Sequence, residues 1–385
     1  MTTIKVIVGA NLGDEGKGLA TDYFVNQAGY FKKCLVVLSN GGAQRGHTVI
    51  SGFNKHVFHH FGSGTLLYSD TYIPKQFIVN PMIFCEEANE LKWYLDKVKI
   101  WMNPGCKLTT PFDMIANHLI EESRGDQRHG SCGVGIWETI LRDGITVGEM
   151  AAKSRDEMVQ YLEWVRDDYF IKRINSKSVK ISDTWETIIY SKNLIDNYIN
   201  DFLSMLKICS VSSDYIMQSY DYIVFENGQG LLLDQNIEGF GKNTTPSNTG
   251  LKNAAEMINS VVFDNNIDVE VVYVSRTYMT RHGAGRFDTE TNVDKLGNIR
   301  ADFTNLTNKF QGALRYGSLD YDELEKRVVD DFNKYGNKDW KLSMFFTHDN
   351  EVRLIKSKVN HDYYVSNGIT KASVRKDNIR YLLGI

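Results

Sequence analysis

The chain has 385 residues, a formal net charge of −4 and 42% apolar residues, enough to bury a large core as one big domain or two. The slightly acidic balance argues against a basic nucleic-acid surface, and no apolar run approaches the roughly 20 residues that span a bilayer. Five scattered cysteines (Cys34, Cys85, Cys106, Cys132, Cys209) with no Cys-x-x-Cys spacing support neither a zinc ribbon nor a disulfide framework, and read as reduced thiols in a cytoplasmic protein.

The sequence goes straight into an apolar run, Ile4–Val8, without the charged start and apolar core of a secretion signal. Further short, nearly continuous apolar runs follow at Leu35–Leu38, Tyr222–Phe225, Val269–Val274 and Leu342–Phe346, each closed by Gly, Asn, Ser or Thr. Strands apolar on both sides belong to sheets covered by helices on both faces. Between them, Glu86–Val98, Glu149–Phe170 and Ser191–Ile208 carry apolar residues at helical spacing. The pattern predicts an α/β fold with a mainly parallel central sheet flanked by helices, and a helical middle portion over about residues 100–215. Proline is scarce, so no stiff linker marks a boundary. In such sheets ligands sit beyond the carboxyl ends of the strands, where most of the polar motifs fall.

The first motif is Gly13-Asp14-Glu15-Gly16-Lys17-Gly18, after the first strand. Its glycines let backbone amides approach phosphate oxygens, and Lys17 adds positive charge. Asp14 and Glu15 suit an anion site only where one holds a metal or moves a proton. The loop is not a standard P-loop, because Gly16-Lys17 is followed by Gly18 and Asn11 stands at the earlier glycine position. From the glycines alone, a tight turn with surface charges explains it equally well.

The second motif, Asn40 to Thr48, brackets Gln44 and Arg45 with glycines and continues into His47. A histidine there is placed to act as an acid, although a lone histidine is more often structural. The third, His129-Gly130-Ser131-Cys132-Gly133-Val134-Gly135, has the small residues and hydroxyls that suit a monophosphate, or those of a flexible loop. The fourth is Glu226-Asn227-Gly228-Gln229-Gly230, followed by Asn243 to Thr249. The amides of Asn227 and Gln229 can read a base edge, and Thr245, Ser247 and Asn248 can meet phosphate or polar base atoms; the alternative is a polar loop that satisfies its own backbone.

Taken together these motifs resemble the adenylosuccinate synthetase family, the ligases that join a 6-oxopurine nucleotide to L-aspartate. The resemblance rests on residues 13–18, Gly46-His47-Thr48, Gly228-Gln229-Gly230 with Leu233-Asp234, and Ser247-Asn248-Thr249. It rests also on Thr280-Arg281-x-Gly283-Ala284-Gly285-x-Phe287-x-Thr289-Glu290 and on Arg142-x-Gly144 with Val147-Gly148. The motifs are collinear and cover most of residues 1–320. The resemblance implies one family domain over residues 1–385, a homodimer with shared sites, no nucleic-acid or membrane partner, and a location in the cytoplasm, the host's if the chain is viral.

The resemblance also implies roles. Asp14 takes the N1 proton, O6 attacks the γ-phosphate of a nucleoside triphosphate, His47 assists the transfer, and aspartate then displaces phosphate at C6. Mg²⁺ is held by Asp14 and the Gly46 carbonyl, and Lys17 with the amides of Gly13, Glu15, Gly16 and Gly18 meets negative charge. Gln44, Thr48, Ser131, Cys132, Gln229, Thr245 and Arg281 join the nucleotide and substrate contacts, with Arg142 arriving from the other subunit. Asn305–Arg315 occupies the place of the aspartate loop, and Ser366 and Gly368 fall near a late purine-binding segment.

Several positions depart from the family pattern. The aspartate loop lacks the usual run of arginines and keeps Arg315, with Lys309. The segment that reads guanine in GTP becomes Thr347-His348-Asp349-Asn350, so the donor is GTP or ATP, and the paired threonines of the third loop become Ser131-Cys132. The departures resemble viral relatives that act on dGMP, which often carry serine where Asp14 stands. Retention of Asp14 favours IMP and leaves dGMP, with ATP or dATP as donor, as the alternative.

Overall fold

The computed structural model describes residues 1–29, 33–239, 243–296, 299, 311–347 and 362–377. Ten strands form one sheet. They are β1 (Thr2–Gly9), β2 (Cys34–Leu38), β3 (Asp70–Ile73), β4 (Ile100–Met102), β5 (Cys209–Val211), β6 (Tyr222–Glu226), β7 (Ile267–Arg276), β8 (Lys341–Thr347), β9 (Asp362–Ser366) and β10 (Val374–Asp377). Their spatial order is β10-β9-β8-β7-β1-β6-β2-β3-β4-β5. All neighbours run parallel except β9 and β10.

The continuous apolar runs are explained by two cores. On one face Ile7, Val36, Val224, Val272 and Phe345 pack with Ala20 and Phe24 of helix α1 (Lys17–Ala28). Their chain neighbours Val6, Val37, Phe225, Val271 and Phe346 point to the other face, which is covered by the helices Lys252–Ser260 and Tyr321–Tyr335. Each central strand therefore buries both of its sides. Among the described residues no helix is long and apolar enough to cross a membrane.

The helical middle portion extends the first core. Helix α2 (Pro81–Glu90) starts earlier than the sequence periodicity suggests. Asn80 caps it, accepting from Met82 N at 3.1 Å and Ile83 N at 3.3 Å, and Pro81 occupies the first helical position. The helix expected over Glu149–Phe170 is divided. A short helix Val147–Ala151 ends, and Ser154 with Glu157 forms a capping box that starts a new one, Arg155–Trp164, which runs into a π-helical stretch, Val165–Phe170. The expected Ser191–Ile208 helix is observed as Lys192–Ile208.

Helix α3 (Pro111–Ser123) carries the main buried ion pair of this portion. Thr110 and Asp113 form its capping box, and Asp113 also receives Arg142 through two bonds, Nε to Oδ1 at 2.9 Å and Nη2 to Oδ2 at 2.7 Å. Both side chains are almost fully buried. Removing one partner of such a pair leaves an uncompensated charge, so Asp113→Ala is expected to cost about 3–5 kcal/mol. Urea unfolding followed by tryptophan fluorescence checks this; a loss below about 1 kcal/mol would mean that the pair behaves like a solvated surface bridge.

Candidate active site

The loops that follow β1, β2, β6, β7 and β8 all leave the same edge of the sheet, because these strands are parallel. After β1 the chain turns through two left-handed residues, Gly13 (φ 92°) and Asp14 (φ 57°), and a third at Gly16 (φ 93°). Gly16 has a second constraint, since a Cβ there would lie 2.7 Å from Thr347 Cγ2. The Thr347 hydroxyl donates to the Glu15 carbonyl at 2.7 Å, tying the end of β8 to this turn. Thr280 Oγ1 donates to the Gly13 carbonyl at 3.1 Å, and the Arg276 guanidinium donates to that of Asp14. The turn is thus held from three sides.

Inside it, Glu15 is buried, accepts from the amide of Asn11 and lies 3.6 Å from the Lys17 ammonium. Burial pushes its carboxyl up to about 6, against the opposing pull of Lys17. Asp14 differs from Glu15. Its side chain is 26% exposed, and Oδ2 lies 3.4 Å from His282 Nε2.

The second loop is organised around a carboxylate at the end of β6. Glu226 is fully buried. Its Oε1 lies 2.7 Å from His47 Nδ1, its Oε2 lies 2.8 Å from Arg45 Nη2, and it accepts from both the amide and the hydroxyl of Ser63. Burial alone would raise the Glu226 carboxyl, but Arg45, His47 and Ser63 together hold it at about 2. His47 moves the opposite way. Burial, reinforced by the Arg45 charge, outweighs Glu226 and lowers the imidazole to about 4. The 2.7 Å contact with an ionised carboxylate places the proton on Nδ1, which leaves Nε2 for a ligand. Neither Glu226 nor Arg45 carries a role in the sequence motifs; an acidic residue closing the apolar run Tyr222–Phe225 is the signal that points to Glu226.

One cavity of about 1300 Å³ opens over these loops. From the first loop it is lined by Gly13, Asp14, Glu15, Gly16, Lys17 and Gly18, and from the second by Gln44, Gly46, His47 and Thr48. Ser131 and Cys132 border it from the third loop, and Gln229, Thr245 and Arg281 from later ones. Ser131 Oγ donates to Asn117 Oδ1 at 2.8 Å and accepts from Gly133 N at 3.2 Å. Gln229 (φ 58°) accepts from Asn40 Nδ2 at 3.4 Å. Arg281 supports its loop, donating to the carbonyls of Ala284, Arg286 and Asn243 at 3.0–3.2 Å. Burial and the nearby Arg315 lower its guanidinium to about 10.

Other expected site residues lie elsewhere. Asn227 is fully buried and donates to the carbonyls of Thr249 at 3.0 Å and Gly250 at 2.7 Å, so it braces the loop and does not border the cavity. Arg142 is committed within its own subunit to Asp113, the Leu108 carbonyl at 3.0 Å and the Tyr161 hydroxyl. Arg315 grips both oxygens of Glu290 and also donates to the carbonyls of Gly283 and Gly285, which leaves it a loop clasp away from the cavity lining. Ser366 Oγ donates to the Gly368 carbonyl at 3.0 Å; this turn closes on itself, and only its neighbour Ile369 borders the cavity. Asp349 and Asn305–Phe310 fall outside the described residues.

Among the described residues no three His, Cys, Asp or Glu side chains converge on a point able to hold a metal ion. The pair named for Mg²⁺ nevertheless fits one. Asp14 and Gly46 border the same cavity, and a carboxylate with a carbonyl oxygen is a hard donor set of the kind that Mg²⁺ completes with substrate phosphates and water.

Residues 6–330 match the family model of adenylosuccinate synthetase. The adenylosuccinate synthetase of Crocosphaera subtropica is 30% identical over 300 residues, 75% of this chain and 63% of that protein. That of Pasteurella multocida is 28% identical over 303 residues, 76% and 66%. The chain thus spans just under two thirds of the length of these relatives. Among solved structures, fully ligated adenylosuccinate synthetase from Plasmodium falciparum superposes with a TM-score of 0.66 at 16% identity, covering 97% of this chain and 86% of that one. The cyanophage S-2L succinoaminodeoxyadenylate synthetase, bound to dGMP and dATP, superposes with a TM-score of 0.63 at 16% identity, covering 100% and 98%. At that identity the structures establish a common fold, and the matched span of residues 6–330 establishes that the chain belongs to the adenylosuccinate synthetase family.

Proposed function

We propose that this chain joins L-aspartate to C6 of a purine nucleoside monophosphate, IMP, at the expense of a nucleoside triphosphate, GTP or ATP, giving adenylosuccinate. The observation that carries this reading is the meeting, in one cavity, of a partly exposed carboxylate (Asp14), a buried ammonium (Lys17) and an imidazole whose proton is pinned on Nδ1 (His47). The 6-oxo group is a poor leaving group and must be activated before an amine replaces it. Asp14 accepts the N1 proton, and negative charge moves to O6. O6 attacks the γ-phosphorus, and the diphosphate leaves. His47 presents Nε2 to the transferring oxygens; it donates to them once it takes up a second proton from solvent, and Glu226 stabilises the imidazolium so formed. Lys17 and the amides at the start of α1 stabilise the spreading charge. The aspartate amine then adds at C6, and phosphate departs. Mg²⁺ bound through Asp14 and the Gly46 carbonyl would neutralise charge on the phosphates. A cytoplasmic homodimer completes the reading; Arg142, whose donors engage Asp113 and the Leu108 carbonyl in its own subunit, would reach the partner's site by giving these contacts up.

A second reading takes dGMP in place of IMP. It is supported by the coextension of this chain with the cyanophage enzyme, 100% against 98%, and by Ser131-Cys132 at the third loop. Asp14 supports the first reading, since it is kept here. A grid of IMP, dIMP, GMP and dGMP against ATP, dATP and GTP, with L-aspartate, separates the two through phosphate release and the succinylated product. IMP is expected to give the highest kcat/KM, and phosphate release from no pair would refute the ligase reading altogether.

Asp14→Ala is expected to abolish turnover with the fold intact, as followed by phosphate release and circular dichroism; full activity would remove Asp14 from the mechanism. His47→Asn is expected to lower kcat by about 10²-fold or more, the usual scale of acid–base assistance. A near-normal rate would assign His47 to structure.

A further inference from the structure

The third loop is seated on one face of helix α3. Glu121 Oε2 accepts from Gly130 N at 3.1 Å. One turn earlier, Asn117 Oδ1 accepts from the Ser131 hydroxyl at 2.8 Å and from Gly135 N at 3.4 Å. Gly135 (φ 78°) packs so closely on the helix that a Cβ there would lie 2.9 Å from the Met114 nitrogen. Asn117 and Glu121 border the cavity together with Ser131 and Cys132. Asn117 lies outside all four glycine-rich motifs.

These two contacts decide which way round the Asn117 amide stands. A backbone N–H can only donate, so the atom that meets Gly135 N is the carbonyl oxygen. The Ser131 hydroxyl accepts from Gly133 N at 3.2 Å, and its own proton goes to Asn117. Both contacts put Oδ1 on the loop, so the NH2 group is the end turned away from it. Asn117 is half-buried. Among the described residues its Nδ2 has no bonded partner, and the atom is not sealed from solvent.

We propose that Asn117 is a substrate-binding residue: its loop-fixed amide turns the NH2 group into the cavity beside Ser131, where it donates to a phosphate oxygen of the nucleoside monophosphate. The inference rests on the ligase reading above and deepens it. In that reading the triphosphate belongs with Lys17 and the first loop, so the hydroxyl and small residues of the third loop are left for the monophosphate. The choice of an amide points the same way. A carboxylate at this position would accept from Ser131 and Gly135 equally well, so bracing the loop does not call for asparagine. It would also set a negative oxygen where Nδ2 stands, against the phosphate. The amide keeps the acceptor end unchanged and supplies donors at the other.

The test measures KM for the monophosphate that the native chain turns over best, and for the triphosphate and L-aspartate, in Asn117→Asp and Asn117→Ala. Asn117→Asp keeps the acceptor for the loop and exchanges the donor for charge. Asn117→Ala loses both ends and adds no charge. The KM for the monophosphate is expected to rise about tenfold or more in Asn117→Asp, in keeping with the loss of one hydrogen bond to a charged group. A smaller rise is expected in Asn117→Ala, and the other two KM values are expected to stay near native. A residue that only braced the loop would give the reverse order, with Ala worse than Asp, and that order overturns the assignment. Thermal unfolding identifies a variant that fails to fold, and either folded variant decides by itself. An unchanged KM for the monophosphate, or a rise shared equally with the triphosphate, overturns the assignment and leaves the ligase reading standing. No turnover by the native chain with IMP, dIMP, GMP or dGMP refutes the ligase reading itself, and this inference with it.

Discussion

A single buried carboxylate organises the site. Glu226 ends a central strand in an environment that would neutralise it, and it stays ionised because Arg45, His47 and Ser63 surround it. A half-satisfied buried charge is worse than none, so the four groups stand or fall together. The consequence reaches the cavity through the imidazole. With Nδ1 committed to Glu226, His47 has one free ring nitrogen and one orientation. The hairpin that begins at His47 (His47–Ser51 with Asn54–Phe58) starts from the same anchor, and Gly18 packs closely on it, since a Cβ there would lie 3.0 Å from the Thr48 carbonyl and 3.1 Å from the His47 Cβ. The first and second loops are thereby set against each other at one end of the sheet.

The arginines show the complementary constraint. A guanidinium has five donors, and burying it requires acceptors for most of them. Arg142 finds them in Asp113 and Leu108, Arg281 in loop carbonyls, and Arg315 in Glu290 with two more carbonyls. Each fastens two segments that are distant in sequence. None of these three can turn to a ligand without abandoning a set of protein acceptors, and of the three Arg281 alone borders the cavity.

What the sequence revealed, and what it hid, follows from how local each signal is. The five central strands were legible because burial on both faces leaves mostly apolar residues between turn residues, with Lys5, Glu270 and Ser343 as a mutually bonded polar exception. Lys192–Ile208 was legible from its period. The start of α2 was not, since the Asn80 cap and Pro81 outweigh periodicity there, and the break at Ser154 is likewise a capping signal inside an apolar pattern. Within the site, the glycine-rich loops were legible as a class, because close backbone approach needs glycine. Which polar side chain points inward was not. Asn227 and Gln229 are two residues apart in one motif, yet the first braces Thr249 and Gly250 while the second, in a left-handed turn, borders the cavity. The partners of Glu226 lie 163 and 179 residues away along the chain, beyond any local pattern.

The distribution of charge then constrains how the proposed pair of nucleotides would be met. With Arg142, Arg281 and Arg315 committed to protein acceptors, Lys17, Arg276 and the amides that open α1 carry the positive potential at the first loop. Lys17 is itself partnered, 3.6 Å from Glu15, whose raised pKa records how poorly the burial of that carboxylate is compensated. Phosphate oxygens are better placed than Glu15 to engage both the ammonium and the helix amides, because they bring more acceptors to the same donors. The geometry is therefore arranged for a ligand that supplies its own negative charge and its own metal-binding oxygens. That is the property the proposed nucleoside triphosphate would bring to a cavity that places the Asp14 carboxylate and the oriented His47 imidazole beside the first loop.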